Sequence, residues 1–558
     1  MASAGARLAR LYISCSGVIL RRSLSHVGMD DMGVSTSRSC LERLEFDSVA
    51  LKKLPLDPST EPGVRKVRGA CFSRVQPTPL KNPKFVAVSG PALALLGLDA
   101  DEVLKDPLGP EYLSGSKVMP GSEPAAHCYC GHQFGQFAGQ LGDGAACYLG
   151  EVKNPTGHAN STFLSLRSFI REFLCSEAVF ALGVPTTRAG SVVASDSRVQ
   201  RDVYYDGNPR MERCSVVLRI APSFIRFGSF EIFKRADEFT GRQGPSYGHD
   251  EIRTQILVAQ WQCVGFCHGV LNTDNMSILG LTLDYGPFGF MDRFDPDFIC
   301  NASDTSGRYS YQAQPAICRW NLARLAEALV PDLPPDQAEQ VLDEYLPLYN
   351  GFYLSNMRKK LGLLRMEEPE DEMLITELMQ TMLHLFDKKY NKNLMFSFLQ
   401  YSELAVLLSM AQSNPALFQM ISDQKTVARQ LERLSRLKEL MDTTAEQLRA
   451  NQTEDWQRLA RECESGADVT DLQKERVHVM NNNNPYVVLR NYIAQNAIEA
   501  AENGDLSEVG VLLALLYFFV FTWRHSLSFK RNTSGAEAQV LVPYDSKPPM
   551  WANEICVT

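Results

Sequence analysis

Three residues between Cys267 and Phe290 carry the chemistry this sequence suggests most directly: Asp274, Asn275 and Asp284. They sit in C-H-G-V-L-N-T-D-N-M-S-I-L-G-L-T-L-D-Y-G-P-F-G-F, between short apolar runs that read as strands. Oxygen ligands at such turns suit Mg²⁺, which takes few protein carboxylates and completes its shell with water and phosphate oxygens. A Mg-nucleotide site is the first reading; the plainer alternative is that both acids only cap turns in a βα connection.

The spacing sharpens this. A kinase catalytic loop reads H-R-D-x-x-x-x-N followed by D-F-G, and its Asn and second Asp hold metal. Here His268-Gly-Val-Leu-Asn-Thr-Asp-Asn275 precedes Asp284-Tyr285-Gly286. Val270 stands where the kinase base belongs, and valine cannot accept a proton. The chain is therefore either an inactive kinase or an enzyme doing different chemistry in the same cradle. Asp274, beside the metal ligand, is the available carboxylate.

Several elements must position these groups. Gln140 to Val152 reads as a glycine turn feeding a strand, and Gly142 and Gly144 let the backbone approach a phosphate. An ordinary hairpin turn explains such a pair equally simply. Apolar residues at helical spacing predict a helix over Phe163–Leu182, closed by Gly183 and Pro185. Glu172 on it is the candidate partner for a strand lysine, against the reading of a solvated face. Arg219 and Arg226, seven apart in an apolar setting, need an anion, because an unpaired buried charge costs several kcal/mol. Phosphate suits guanidinium; a structural carboxylate fits as well. His127-Cys-Tyr-Cys-Gly-His132 mimics metal spacing, but zinc sites usually draw two separated pairs of ligands, so a structural role is the better reading.

Beyond Arg293 the sequence turns mostly helical, with helical periodicity over Trp320–Val330, Ala338–Leu348, Glu368–Phe386, Thr426–Leu448 and Val487–Ala501. Val509–Trp523 carries no charge, yet falls short of the ~20 residues that span hydrocarbon, so a buried helix is expected and a membrane anchor is not. With 45% hydrophobic and 22% charged residues the composition is that of an ordinary globular protein, and a net charge of −9 argues against a nucleic-acid footprint. Residues 1–27 hold Arg7, Arg10, Arg21 and Arg22, serines and no acid, the composition of a mitochondrial presequence. Fourteen cysteines without a secretory signal read as free thiols.

With these residues in hand, the chain resembles the selenoprotein O family of pseudokinases, through GHQFGQFAGQLGDG, SFIREFLCSEA, GVPTTRAG, LRIAPSFIRFGSFE, NTDNMSILGLTLDYGPFGF, RNYIAQNAIEAAE and SKPPMWANEICVT. The resemblance implies an α+β, protein-kinase-like bilobal fold with an N-terminal embellishment and a large helical C-terminal portion. It implies an ATP bound in flipped orientation and AMP transferred to Ser, Thr or Tyr hydroxyls of proteins in mitochondria. By motif, Gly142, Gly144 and Ala145 contact nucleotide, Arg219 and Arg226 engage phosphates, and Asp274 is the proton acceptor. Asn275 and Asp284 hold Mg²⁺, Asp284 also facing the nucleotide, and Glu172 orients the lysine. The expected divisions are a presequence over 1–27, a nucleotide-binding lobe over 41–235, a helical lobe over 236–505 and a divergent tail over 506–558.

Four departures stand out. The segment carrying the family's nucleotide lysine is absent, and Val152 is expected to run through Lys153 almost directly into the helix. Lys153 is the nearest substitute. One charge-assisted contact is worth about 1.5–3 kcal/mol, so its loss predicts a tenfold to hundredfold slower enzyme at about 1.4 kcal/mol per decade. The connection Ile252–Trp261 is short, Val511–Phe521 matches no known part of the family, and the chain stops at Thr558 where the family continues into a selenocysteine. A nucleotide-binding scaffold without turnover is therefore the alternative.

Overall fold

The computed structural model describes residues 39–59, 61, 63–154, 159–165, 169–201, 207–232, 234, 236–245, 262–291, 294–330, 333–381, 469–485, 487–519, 528–531 and 540–543. The expectations for 1–27, for Ile252–Trp261, for Thr426–Leu448 and for the terminal residues lie outside them. The fold is mixed α and β. Its centre is an antiparallel sheet of β1 (Phe72–Arg74), β2 (Lys84–Val88), β3 (Ala125–Gln133), β4 (Gln136–Gly142), β5 (Ala146–Lys153), β6 (Ala159–Ser165), β7 (Arg188–Arg201) and β8 (Arg210–Ala221), in the order β1-β3-β5-β6-β8-β7-β2 with β4 on β3. Valines anchor the long β7–β8 hairpin: Val192, Val193, Val216 and Val217 are buried, as β-branched side chains on a pleated surface should be.

The strand β6 corrects the sequence reading. The helix expected from Phe163 starts at Phe169, as α1 (Phe169–Ala181), and Val152 does not lead directly into it. Residues 159–165 instead pair with β5 on one side and β8 on the other. Without that strand two edges would present unpaired N–H and C=O groups, and this cost outweighs the helical periodicity of Phe163 and Leu166. The end of α1 is as expected: Gly183 takes φ +79° and Val184 N–H donates to Val179 O at 3.1 Å, a Schellman-type close.

One face of α1 (Phe173, Leu174, Cys175, Ala178 and Val179) belongs to the main core. Against it pack α8 (Asn491–Glu502) and α9 (Ser507–Phe519), whose Val509, Leu512, Leu515 and Leu516 are buried. The apolar run is thus a core helix in its described part, the buried helix its composition predicts. Among the described residues no helix is long and apolar enough to cross a membrane. Besides four short α-helical turns ahead of β3, further helices are α3 (Gln314–Ala328), α4 (Pro335–Asp343), α5 (Tyr345–Leu361), α6 (Asp371–Thr381) and α7 (Val469–Asn483), with the short α2 (Phe227–Glu231) following β8. Every described cysteine is a free thiol.

A buried ion pair ties α1 to the sheet. Glu177 accepts from Arg188 Nε at 3.0 Å and Nη2 at 2.8 Å, from Ser89 Oγ at 2.7 Å and from Ala189 N at 2.9 Å. Tyr517 of α9 joins through Arg188 Nη2 at 2.8 Å. Both charges are satisfied only together, so Glu177→Ala is expected to lower stability by about 3–5 kcal/mol. Chemical denaturation measures this, and a change below about 1 kcal/mol, the level of an exposed pair, would contradict it.

Candidate active site

The catalytic-loop stretch is held from both ends. His268 N–H donates to Gln314 Oε1 at 2.8 Å, and its Nε2 lies 2.7 Å from Leu283 O, which couples the loop to the residue before Asp284. Thr273–Asn275 form a 3₁₀ turn. Thr273 Oγ1 donates to Glu231 Oε2 and accepts from His132 N–H at 2.7 Å, while His132 Nδ1 meets Glu231 Oε1 at 2.5 Å. Lys234 closes this buried network on His132 Nε2 at 3.0 Å. His132 therefore serves the loop and not a metal. His127 stacks on Phe72 at 4.6 Å, and Cys128 and Cys130 lie in an apolar cluster. Among the described residues no three or more His, Cys, Asp or Glu side chains cluster as a metal site.

Asp274 lies in the wall of a cleft of about 2190 Å³. Two glycines make room for it. A Cβ on Gly131 would come within 2.4 Å of Asp274 Oδ1, and one on Gly228 within 2.2 Å of Cys130 O and 3.3 Å of Asp274 Cα. The carboxylate is 7% exposed and its Oδ1 has no hydrogen-bond partner. Burial pushes its pKa up to about 7, against the pull of Arg226. A carboxylate poised near neutrality and lacking a partner is suited to take a proton.

Asp284 has φ +55°, a left-handed conformation that aspartate tolerates better than most residues. Arg219 Nη1 donates to its Oδ1 at 2.6 Å and Arg226 Nη1 to its Oδ2 at 3.1 Å. Arg226 Nη1 also reaches Asp274 O at 2.8 Å, and Arg219 Nε lies 3.3 Å from Glu172 Oε1. Burial lowers the Arg219 pKa, but Glu172 and Asp284 more than offset it. In this structure both arginines pair with carboxylates within the cleft. Glu172, expected to face a lysine, faces Arg219. Asn275 donates Nδ2 to Val270 O at 2.9 Å, so that its carbonyl oxygen is the atom available to a ligand. With the Asp284 carboxylate it offers the hard oxygen set that Mg²⁺ takes.

The turn Gly142–Gly144 and Ala145 line the same cleft, together with Glu172, Arg219, Arg226, Asp274, Asn275 and Asp284. All the candidate residues are therefore brought together. Lys153 is not: it pairs with Asp47 and its side chain is 51% exposed. The strand β6, in the space between β5 and β8, sets Phe163 in register with Arg219, and among the described residues no lysine lines the cleft. Sequence reasoning passed over Asp143, whose Oδ2 accepts from His127 N–H at 3.0 Å and pins the glycine turn to β3. An acid between two glycines was the available signal. Glu231 and Thr273 gave none, since their partners are distant in sequence.

A family model described as protein adenylyltransferase SelO matches residues 56–243 and 250–516. The chain is 68% identical over 692 aligned positions to zebrafish (Danio rerio) protein adenylyltransferase SelO-1, mitochondrial, with 100% of each covered. It is 47% identical to the mouse (Mus musculus) mitochondrial protein adenylyltransferase SelO, with 93% of each covered. Protein nucleotidyltransferase YdiU of Azoarcus sp. is 40% identical over 85% of this chain and 93% of its own. The zebrafish alignment is longer than this chain's 558 residues, so that relative carries stretches absent here.

Proposed function

Because the chain belongs to the protein adenylyltransferase SelO family, we propose that Asp274 takes the proton of a Ser, Thr or Tyr hydroxyl while that oxygen attacks the α-phosphorus of ATP. The new bond is O–P to AMP, the broken one is to pyrophosphate, and the proton ends on Asp274. The chain is a mitochondrial enzyme that uses ATP to adenylylate proteins. The observation that carries the residue assignment is the Asp274 carboxylate, buried in the cleft wall with an unpartnered oxygen and a pKa near 7.

Arg219 and Arg226 engage the phosphates, the amides of Gly142, Gly144 and Ala145 approach the nucleotide, and Asn275 and Asp284 hold Mg²⁺. When bound, the ion neutralises charge developing on the phosphates. We read the fold as kinase-like and bilobal, with the sheet and α1 in a nucleotide lobe over 41–235, the helices in a second lobe over 236–505 and a presequence over 1–27; the divergent tail expected over 506–558 is corrected in its first part, because α9 packs in the core and the family match runs to residue 516. The lack of a general base at Val270 supports a reaction other than γ-phosphoryl transfer.

ATP labelled on the α-phosphate should label acceptor protein, and ATP labelled on the γ-phosphate should not. Label from the γ-phosphate alone would make the chain an ordinary kinase. The second reading, nucleotide binding without turnover, is favoured by the pairing of Glu172 with Arg219 in a cleft where no described lysine takes part. A rise in Tm with Mg-ATP and no transferred label would establish it.

A further inference from the structure

Among the described residues three non-glycines have positive φ: Asn82, Asp284 and Phe134. Asparagine and aspartate visit that region readily; a phenylalanine at φ +49° is an outlier. Such conformations persist where the surroundings over-determine them, and they concentrate at functional sites. Phe134 and Asp284 both line the cleft.

The surroundings here are the catalytic loop. Phe134 N–H donates to Asn272 Oδ1 at 3.2 Å and to Tyr309 Oη at 3.0 Å, and Tyr309 Oη–H donates to Asn272 Oδ1 at 2.5 Å. The tip of the β3–β4 hairpin is thereby fastened two residues ahead of Asp274. This fastening leaves the Phe134 side chain 44% exposed, with its ring 5.4 Å from that of Tyr309. The same cleft is lined by Asn301, Ala302 and Ser303, small or polar residues held by Asn301 Nδ2 on Gly269 O at 3.0 Å. The groups assigned to phosphate stand on β8, at the start of α2 and at the glycine turn. At about 2190 Å³ the cleft exceeds the ~300–1,000 Å³ of a small-molecule pocket, which leaves room for a polypeptide beside the nucleotide.

Resting on the AMP transfer proposed above, we propose that Phe134 and Asn301–Ser303 bracket the acceptor polypeptide, the ring of Phe134 lying against an apolar side chain next to the modified residue. The reason is position. The base must touch the acceptor hydroxyl, and Phe134 is bonded to the loop that carries the base. A ring this exposed, at the cleft edge, is also poorly placed to enclose a desolvated adenine.

The test uses synthetic peptides with a central Ser, Thr or Tyr flanked by Leu, Phe, Asp or Lys, and ATP labelled on the α-phosphate. The full chain should prefer Leu- or Phe-flanked peptides over Asp-flanked ones by about tenfold in kcat/KM, the scale of an apolar contact. Phe134→Gly should abolish that preference while Tm does not fall, because glycine accepts the left-handed backbone. Phe134→Trp should keep the preference. Retained preference in Phe134→Gly overturns the proposal, as does loss of the ATP-dependent rise in Tm, which would make Phe134 a platform for adenine. If the full chain labels no peptide, fluorescein-labelled peptides are titrated with a non-hydrolysable ATP analogue and Mg²⁺. Binding of the apolar-flanked set that weakens tenfold in Phe134→Gly then supports the subsite although transfer has failed; absent or unchanged binding overturns it.

Discussion

Asp284→Ala is expected to abolish AMP transfer and to destabilise the fold, and Asp284→Asn is expected to separate the two effects. The carboxylate answers two guanidiniums, those of Arg219 and Arg226, which are only 5% and 4% exposed. Removing one partner of a buried pair costs about 3–5 kcal/mol, and alanine at φ +55° adds about 1 kcal/mol of backbone strain. Asparagine retains a neutral acceptor and tolerates the left-handed conformation, so Asp284→Asn should recover part of the stability. It should not recover activity. The loss of a charged ligand at the reacting phosphates is worth at least a hundredfold, on the scale of a removed electrostatic contact. Labelled-AMP transfer and thermal denaturation of both variants are the measurements, and an Asp284→Asn protein with more than about a tenth of full activity would refute the metal assignment.

Asp274→Asn should lower transfer by about 10²- to 10⁴-fold, the range for a general base, while raising stability at alkaline pH. The sign follows from burial. The Asp274 carboxyl is pushed from its ordinary 3.8 up to about 7, so the folded state holds the proton more tightly than the unfolded chain. Its contribution is fully present below about pH 4 and is lost as pH rises through about 7. The full chain should therefore lose stability over that window relative to Asp274→Asn, whose amide does not titrate. Activity has the opposite slope, since the base must be deprotonated, and kcat should rise across about pH 6–8. Parallel Tm-against-pH curves for the two proteins would contradict the burial of an ionised Asp274.

What the sequence made legible was what lies close along the chain. Asp274, Asn275 and Asp284 are readable because eleven residues hold both halves of the motif, and the need of Arg219 and Arg226 for an anion is readable because their neighbours are apolar. Which anion was not. It depends on Glu172 and Asp284, 47 and 65 residues from Arg219, brought there by α1 and the catalytic loop. The strand β6 was hidden for a related reason. Phe163, Leu166, Phe169 and Ile170 keep one helical period across a boundary that only pairing with β5 and β8 defines. Glu231 was invisible because its partners His132 and Thr273 lie 99 and 42 residues away. Val509–Phe519 was legible as a buried helix from its uncharged apolar run; that it packs on α1 was not.

The arginine pairing at Asp284 has a thermodynamic consequence. Both oxygens of that carboxylate are engaged by guanidiniums, so on the proposed assignment Asp284 becomes free to ligate a cation only when phosphate oxygens draw Arg219 and Arg226 away. Nucleotide and cation are then linked through an exchange of ion partners: each should bind more tightly in the presence of the other, by the same factor. The same movement of Arg219 would also break its contact with Glu172, which joins α1 to the exchange.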